Sequence, residues 1–421
     1  MKRSFLLILL FGTLLEAKSL SLQSCIEKTL KNHPDEKSFA LSLKQSEKEV
    51  DSAKSAFHPQ IAVHLEYDPL KTYVISQNGR NFTKDDTFTH EDIVLSQKIW
   101  DFSKTKNRIE AQKIEKDISK LSLEEIKNKL RLKVEQVYDL MLLQKQMINL
   151  RRHDLKAKQA LYRQAVAMQK QGLKTKIDAM RFESEVFSAK EALSLAVTGY
   201  DKAKNSLEFL IGEKISKHTV LKNELKKIER LRLKKSKKDF LRKQLLNNPS
   251  LKKVYKSIEK SQKLYNISKN ERYGSIDATA MATHEETLWN YDTQSVAIKA
   301  QIPLYQGGKL KAQAQKAKIA QIKARTTYAS ALLQYKEQLE ALFIDLRHID
   351  VSIKAKKKSI KATKEALRLI EGRYKVGLIS YLEVLDALTL YKSSQTALIS
   401  AYAQKSDILY QIKSLTGVNR L

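Results

Sequence analysis

Glu383 and Asp386 stand three residues apart just beyond the dipeptide Gly377-Leu378, and Asp178 stands six residues beyond Gly172. Acids at a three-residue spacing share one face of a helix. Several copies of such a face around a narrow axis would repel one another and attract cations, which is the chemistry of a selective entrance. On an isolated helix the same residues are simply exposed acids. The common catalytic signatures HExxH, the Walker-type glycine loop, GxGxxG and GxSxG are missing from the sequence. His64 with Glu66, and His90 with Glu91, offer metal-ligating side chains, but two ligands on one strand are far more often surface residues. No metal, no cofactor and no enzymatic activity are expected.

The glycines that would position these acids come in pairs. Gly172 and Gly377 are 205 positions apart, and so are Gly212 and Gly417. Between them, Leu173, Ile177 and Asp178 answer Leu378, Leu382 and Glu383, and Leu207 and Leu210 answer Ile412 and Leu415. The same shift carries Ile99-Trp100 onto Leu304-Tyr305. Further upstream the best shift is 215, which matches Asn32-His33-Pro34 to Asn247-Asn248-Pro249. One unit of some two hundred residues has therefore been duplicated, with a ten-residue length difference between Pro59 and Trp100. Solenoid repeats are several-fold shorter and more numerous. The expected organisation is a signal segment over 1–17, a first repeat over 18–212, an inter-repeat segment over 213–238 and a second repeat over 239–421.

The signal expectation rests on Lys2 and Arg3, an apolar run from Phe5 to Leu15, and Glu16-Ala17 as a cleavage site. No later run of eighteen apolar residues follows, so no transmembrane helix is expected. Cys25, the single cysteine, excludes an internal disulfide. Leu22 to Cys25 faintly resembles a lipidation box, but Glu16 and Lys18 separate it from the apolar run. The formal charge is +31, which invites a nucleic-acid reading. The bases, however, are scattered among acids along polar faces, as from Glu110 to Lys133, with Lys234, Lys235, Lys237 and Lys238 the main block. Solvated helix surface is the better account, and no nucleic-acid partner is expected.

Eleven glycines and five prolines in 421 residues leave room for long helices. Neither occurs from Lys104 to Gln171, which permits about 100 Å of helix at 1.5 Å per residue. Leu123, Ile126, Leu130, Val134, Val137 and Met141 follow mixed spacings of three and four, the mark of one packed stripe. Ala189, Ala196 and Ala203, and in the second copy Ala387, Ser394 and Ala401, recur every seven residues and allow close helix approach.

Two windows break this pattern. From Pro59 to Asp68, Ile61, Val63, Leu65 and Tyr67 alternate with Ala62, His64, Glu66 and Asp68, which predicts a strand with unlike faces. A polar loop over Lys71–Asp86 and a second strand over Thr87–Trp100 follow. The second copy repeats this with strands over Ser275–Thr283 and Thr293–Tyr305 around a loop at Glu285 and Glu286. One hairpin per copy fits either a soluble sheet or a membrane barrel with an apolar outside. A barrel must close, and four strands cannot close alone, so several chains would be needed, for example three giving twelve strands.

In this order and spacing, the pieces resemble the TolC family of outer membrane efflux and secretion ducts. The matching pieces are Leu20 to Leu22 through Asn32-His33-Pro34, the strand end Ile302-Pro303-Leu304-Tyr305-Gln306-Gly307-Gly308, and the two Gly-Leu turns leading to an acid. The resemblance implies a mainly α fold with a membrane β-barrel: a homotrimer with a twelve-stranded barrel continued by a periplasmic α-barrel of long coiled helices. It implies a cell outer membrane location, contact with outer membrane lipid, a periplasmic adaptor, and an inner membrane pump of the RND or ABC class as energy source. It assigns Gly172, Leu173, Val376, Gly377 and Leu378 to an adaptor-docking tip, Glu383 and Asp386 to an acidic entrance, and Asp178 with Tyr374 to a gating pair. Ile379 stands where the family's best-known member has an arginine.

The function this implies is the passive channel of a tripartite efflux system. Two alternatives stay open on the sequence: the duct of an ATP-driven type I protein secretion system, and a soluble periplasmic coiled-coil structural protein.

Overall fold

The computed structural model of the chain describes residues 19–216, 219–222, 233, 235–287, 289–376 and 378–418. The expected signal segment, most of the inter-repeat segment and Gly377 lie outside the described residues. The elements run β1 (Ser19–Leu20), α1 (Leu22–Asn32), α2 (Pro34–Ser55), β2 (Gln60–Gln77), β3 (Arg80–Trp100), α3 (Lys104–Lys170) and α4 (Lys176–Ile211). Then follow β4 (Val220–Leu221), α5 (Lys235–Gln244), α6 (Pro249–Asn270), β5 (Ser275–Glu286), β6 (Asn290–Gln301), α7 (Lys309–Lys375) and α8 (Tyr381–Thr416).

Three pairs of helices in the two copies have equal lengths, while α1 has 11 residues and α5 has 10. Helices α3 and α7 each have 67 residues, α4 and α8 each 36, and α2 and α6 each 22. Helices α2 and α6 begin on a proline, whose missing N–H would be unsatisfied there in any case. Helix α6 is further capped by the Asn248 side chain, which accepts from Ser250 N at 2.8 Å. Helices α4 and α8 end on left-handed glycines, Gly212 and Gly417, at φ of 72° and 68°.

The chain divides into two compact units. The first takes in 1–37, 126–246 and 335–421. Its main core gathers Val134, Tyr138 and Met141 of α3, Leu207 and Ile211 of α4, Phe343 and Leu346 of α7, and Leu409 and Ile412 of α8. The heptad alanines Ala189, Ala196, Ala203, Ala387 and Ala401 are all buried, and Ser394 is half-buried. Cys25 sits fully buried in this core, and burial pushes its thiol up to about 12. The short parallel pair β1–β4 closes over it, and the Tyr138 hydroxyl donates to Leu20 O and Lys222 O, both at 2.9 Å.

The second unit takes in 38–125 and 247–334. The first part of α3 lies along α6 and is bound to it by Glu125–Lys253 (2.6 Å), Glu115–Lys260 (2.8 Å) and Glu110–Lys263. The acids interleaved from Glu110 onward thus offset lysines of another helix. Such half-exposed pairs are worth roughly 0–1 kcal/mol each and fix register more than stability.

The unit's other part is one antiparallel sheet in the order β2-β3-β5-β6, with β2 and β6 as its edges. Two boundary expectations need correcting. Lys71–Asp86 is not a loop: β2 and β3 stay paired from Lys71↔Asp86 down to Gln77↔Arg80, and reverse at Asn78-Gly79. In the second hairpin Glu285 and Glu286 lie in β5, and the strand that follows stops at Gln301, short of Tyr305. The polar residues from Lys71 to Asp86 misled because a ladder solvated on both faces carries no apolar alternation.

Candidate functional site

Two helix reversals, α3 to α4 and α7 to α8, carry nearly all the residues singled out in the sequence. Both are built by one local rule. Gly172 adopts φ of 73°, and the reversal is closed by Leu173 N donating to Met168 O at 2.9 Å. The second reversal closes in the same way, with Leu378 N donating to Arg373 O at 3.1 Å. These are the six-to-one bonds of a glycine-terminated helix. A Cβ at Gly172 would meet nothing within 4 Å, so backbone conformation alone demands glycine there.

The helices that leave the reversals start on matched capping boxes. Thr175 accepts from Asp178 N at 3.3 Å while the Asp178 carboxylate accepts from Thr175 N at 3.1 Å. Ser380 and Glu383 repeat the exchange at 3.4 and 3.2 Å. Asp178 and Glu383 are therefore one structural position in two copies, the third residue of a helix, where a carboxylate also faces the helix's positive end. The sequence patterns Thr175-x-x-Asp178 and Ser380-x-x-Glu383 carry that signal, which the reading in terms of entrance chemistry passed over. Glu383 uses Oε1 for the cap, and Asp178 uses Oδ2.

Beneath the reversals lies a second apolar cluster that includes Leu161, Ala165, Phe182, Leu367, Tyr374, Tyr381, Val384 and Leu388. The Phe182 ring stands edge-on to Tyr374 (6.3 Å) and to Tyr381 (5.6 Å). Tyr374 is 1% exposed, and its hydroxyl has no hydrogen-bond partner among the described residues. Burial raises the Tyr374 phenol above its ordinary range, and the nearby Asp178 charge adds to this. The two are thus neighbours in one chain, without a bond between them. Lys174 occupies in the first copy the place of Ile379 in the second. Its ammonium reaches Ile379 O at 3.4 Å and lies 5.5 Å from the centre of the Tyr374 ring.

Leu173, Val376 and Leu378 are exposed, Leu378 at 74%. Glu383 and Asp386 are both exposed, on the side of α8 away from the buried Tyr381, Val384 and Leu388.

The sheet of the second unit forms a further candidate surface. One face exposes Ile61, Val63, Leu65, Ile93, Val296 and Ile298, with Ala280 and Ala282 between them in register, and turns polar at the row of Leu65, where Glu91, His284 and Asp292 lie opposite. The opposite face carries a polar chain that the sequence reading did not find. His64 Nδ1 meets Asp92 at 2.6 Å, His90 meets Glu285 at 3.0 Å and Asp92 at 3.3 Å, and the Tyr291 hydroxyl meets Glu285. Glu66 and Glu91 are not among these partners: Glu91, next to His90 in sequence, points to the other face, and Glu66, although opposite His90 in register, makes none of these bonds. Among the described residues, no group of three or more His, Cys, Asp or Glu side chains is arranged to hold a metal ion, and no helix is long and apolar enough to cross a membrane.

Known proteins share this architecture. The chain is 25% identical over 424 residues to the outer membrane efflux protein BepC of Brucella suis biovar 1 (strain 1330), covering 97% of this chain and 89% of that one. The fold superposes on the channel CusC with a TM-score of 0.82 at 17% identity, covering 94% of this chain and 91% of that one. It superposes on the outer membrane protein VceC of Vibrio cholerae with a TM-score of 0.79 at 15% identity, covering 94% and 96%. BepC is thus an efflux protein of the outer membrane, CusC a protein that forms a transmembrane channel and VceC an outer membrane protein. The family profile described as outer membrane efflux protein matches residues 25–213 and 240–418, most of the chain, and the protein belongs to that family.

Proposed function

We propose that the protein is the outer membrane channel of a tripartite efflux system, a passive conduit for substrates delivered by an inner membrane pump through a periplasmic adaptor. The observation that carries this reading is the sheet. It has an extended apolar face turned outward, and unpaired strands at both edges. Such edges in lipid leave backbone groups unsatisfied unless the sheet closes. Three copies edge to edge give twelve strands, an even number within the range of outer membrane barrels. The soluble coiled-coil alternative leaves that apolar face unexplained. In detergent the protein should have three times the mass of one mature chain. A water-soluble single chain would overturn the trimeric barrel.

The two reversals form the pump-facing end in this reading. Leu173, Val376 and Leu378, with Gly172 and Gly377, dock the adaptor; exposed apolar side chains on capped, rigid turns suit a protein partner. Glu383 and Asp386 line the entrance, Glu383 offering Oε2 while Oε1 caps its helix. Asp178 and Tyr374 act as the gating pair, for which Asp178 Oδ1 is outside the capping bonds. The segment 213–238 separates two repeats, 18–212 and 239–421. Photocrosslinking from a reactive residue at position 378 in cells tests the docking role, and the expected product is a periplasmic adaptor. An RND pump accompanying that adaptor supports small-molecule efflux, and an ABC exporter would shift the function to type I secretion. No adaptor product from folded protein would remove the docking assignment.

A further inference from the structure

Where the second hairpin passes into helix, the surface changes from apolar to cationic within a few residues. Strand β6 ends at Gln301, and Ile302, Pro303, Leu304 and Tyr305 lead to the left-handed glycines Gly307 and Gly308 and into α7. Leu304 is 94% exposed and Tyr305 87%. Both line a cavity of about 490 Å³, a size ordinary for a small-molecule site, whose other walls come from the end of α6 and the start of α7. Lys269, Arg272, Lys311 and Lys318 line it, and no carboxylate does.

These charges are poorly compensated. Lys269 and Lys311 have no ion-pair partner among the described residues. Lys318 donates to the neutral Gln321 at 2.9 Å and lies over the Tyr265 ring at 5.0 Å, and Arg272 lies over the Tyr273 ring at 4.7 Å. Four cations around one cavity create a field that draws an anion. Leading away from the cavity is an apolar track of Val296, Ile298, Ile302 and Leu304, all exposed. Cations beside an apolar track match a molecule with a phosphate at one end and hydrocarbon at the other.

We propose that this cavity holds the phosphate of an anionic phospholipid of the periplasmic leaflet, its acyl chains lying along Val296, Ile298 and Leu304. This rests on the reading of the outer sheet face as the lipid-facing one. A free phosphate would leave the apolar track unused. A second copy of the chain meeting the β6 edge through its β2 edge would bring residues 55–60, Ser-Ala-Phe-His-Pro-Gln, without a carboxylate, and its α2 acids, Asp51 the nearest, could offset the charge only along the helices; the variant test below separates that outcome.

The test uses the full-length protein in detergent, with phosphatidylglycerol, phosphatidylcholine, inorganic phosphate and glycerol 3-phosphate as probes, read by native mass spectrometry and thermal melting. Wild type should retain and be stabilised by phosphatidylglycerol in preference to phosphatidylcholine, with no effect of the two water-soluble phosphates. The double variant Lys269→Gln/Lys311→Gln should bind phosphatidylglycerol on the order of tenfold more weakly, given the contribution of each base near an anionic leaflet. Its melting in phosphatidylcholine should match wild type, which shows that it folds. Equal retention of both lipids, an unchanged affinity in the variant, or competition by glycerol 3-phosphate would overturn the proposal. So would loss of chain association in the variant, which would make the cavity a subunit contact. Failure of the lipid-facing reading appears separately, as protein that stays in solution without detergent.

Discussion

The first unit contains two apolar clusters that differ in how their polar groups are finished. In the larger one, around Met141 and Leu409, buried charged groups find partners across helices, Lys405 with Asp350 at 2.9 Å, Lys413 with Glu135, and Asp139 with the Ser406 hydroxyl, and among the described residues the neutral hydroxyl of Thr29 beside it is left without a hydrogen-bond partner. In the smaller one beneath the reversals, the buried Tyr374 hydroxyl has no partner among the described residues, and the half-buried Lys174 from the other copy lies over its ring. A matched network resists separation, because removing one partner strands a buried charge at a cost of about 3–5 kcal/mol. An unmatched hydroxyl does the opposite and lowers the cost of rearrangement. The expectation is that the larger cluster, with its charges matched, holds and that the smaller one rearranges more readily.

The largest contrast should be chemical. Cys25 belongs to the holding cluster, with its thiol raised from 9.0 to about 12. Burial disfavours the thiolate, the reactive form, and blocks access besides. A thiol reagent should find no cysteine in the folded protein and one after denaturation. No reaction even when unfolded would mean that Cys25 is already modified, and would reopen lipidation.

Next in size is the aromatic contact that builds the smaller cluster. Phe182 is fully buried between two tyrosines, while its counterpart in the second copy is Ala387. Phe182→Ala should cost about 3–5 kcal/mol, felt locally. Hydrogen exchange should quicken in 176–190 and stay slow around Met141. Equal quickening at both places would merge the clusters into one cooperative body and break the comparison.

Much of this arrangement is legible in the sequence because glycine and helix length are strict. The 205-residue shift relates Gly212 to Gly417 as well as the bounds of α3 to α7 and α4 to α8, since a left-handed cap admits little else. The hairpins are less legible. Solvation on both sides of Lys71–Asp86 removes the alternation that marks a strand, and the His64–Asp92 and His90–Glu285 pairs depend on register. The unpartnered state of the Tyr374 hydroxyl is a tertiary fact, which no local pattern announces.

That hydroxyl gives a smaller and more pointed test. Removing a buried group that makes no hydrogen bond should be neutral or favourable, so Tyr374→Phe should stabilise the reversal by about 1 kcal/mol. The phenol is raised in the folded state by burial first and by Asp178 second. Its contribution is therefore intact below the ordinary tyrosine value of about 10 and is lost as pH rises through the higher folded value. Thermal melts should fall more steeply above about pH 10 in wild type than in Tyr374→Phe. Destabilisation by Tyr374→Phe at neutral pH would show that the hydroxyl has a partner in the assembled channel, and would make the second cluster as matched as the first.

The smallest effect asks whether the two copies are equivalent where they look most alike. Thr175→Ala and Ser380→Ala each remove the side chain of a capping box and should each cost about 1 kcal/mol. Amide exchange at Asp178 and Glu383, the donors to those hydroxyls, is the local measurement. Equal acceleration would mean that the copies share their backbone mechanics, so that the differences between the reversals reside in Lys174 against Ile379 and Phe182 against Ala387. A larger effect at Ser380 would point to Glu383, because releasing its carboxylate from the cap frees it to meet the other acids at the proposed entrance. The double variant Ser380→Ala/Glu383→Gln separates the two: it loses the cap but carries no charge to release, and its exchange should then match that of Thr175→Ala.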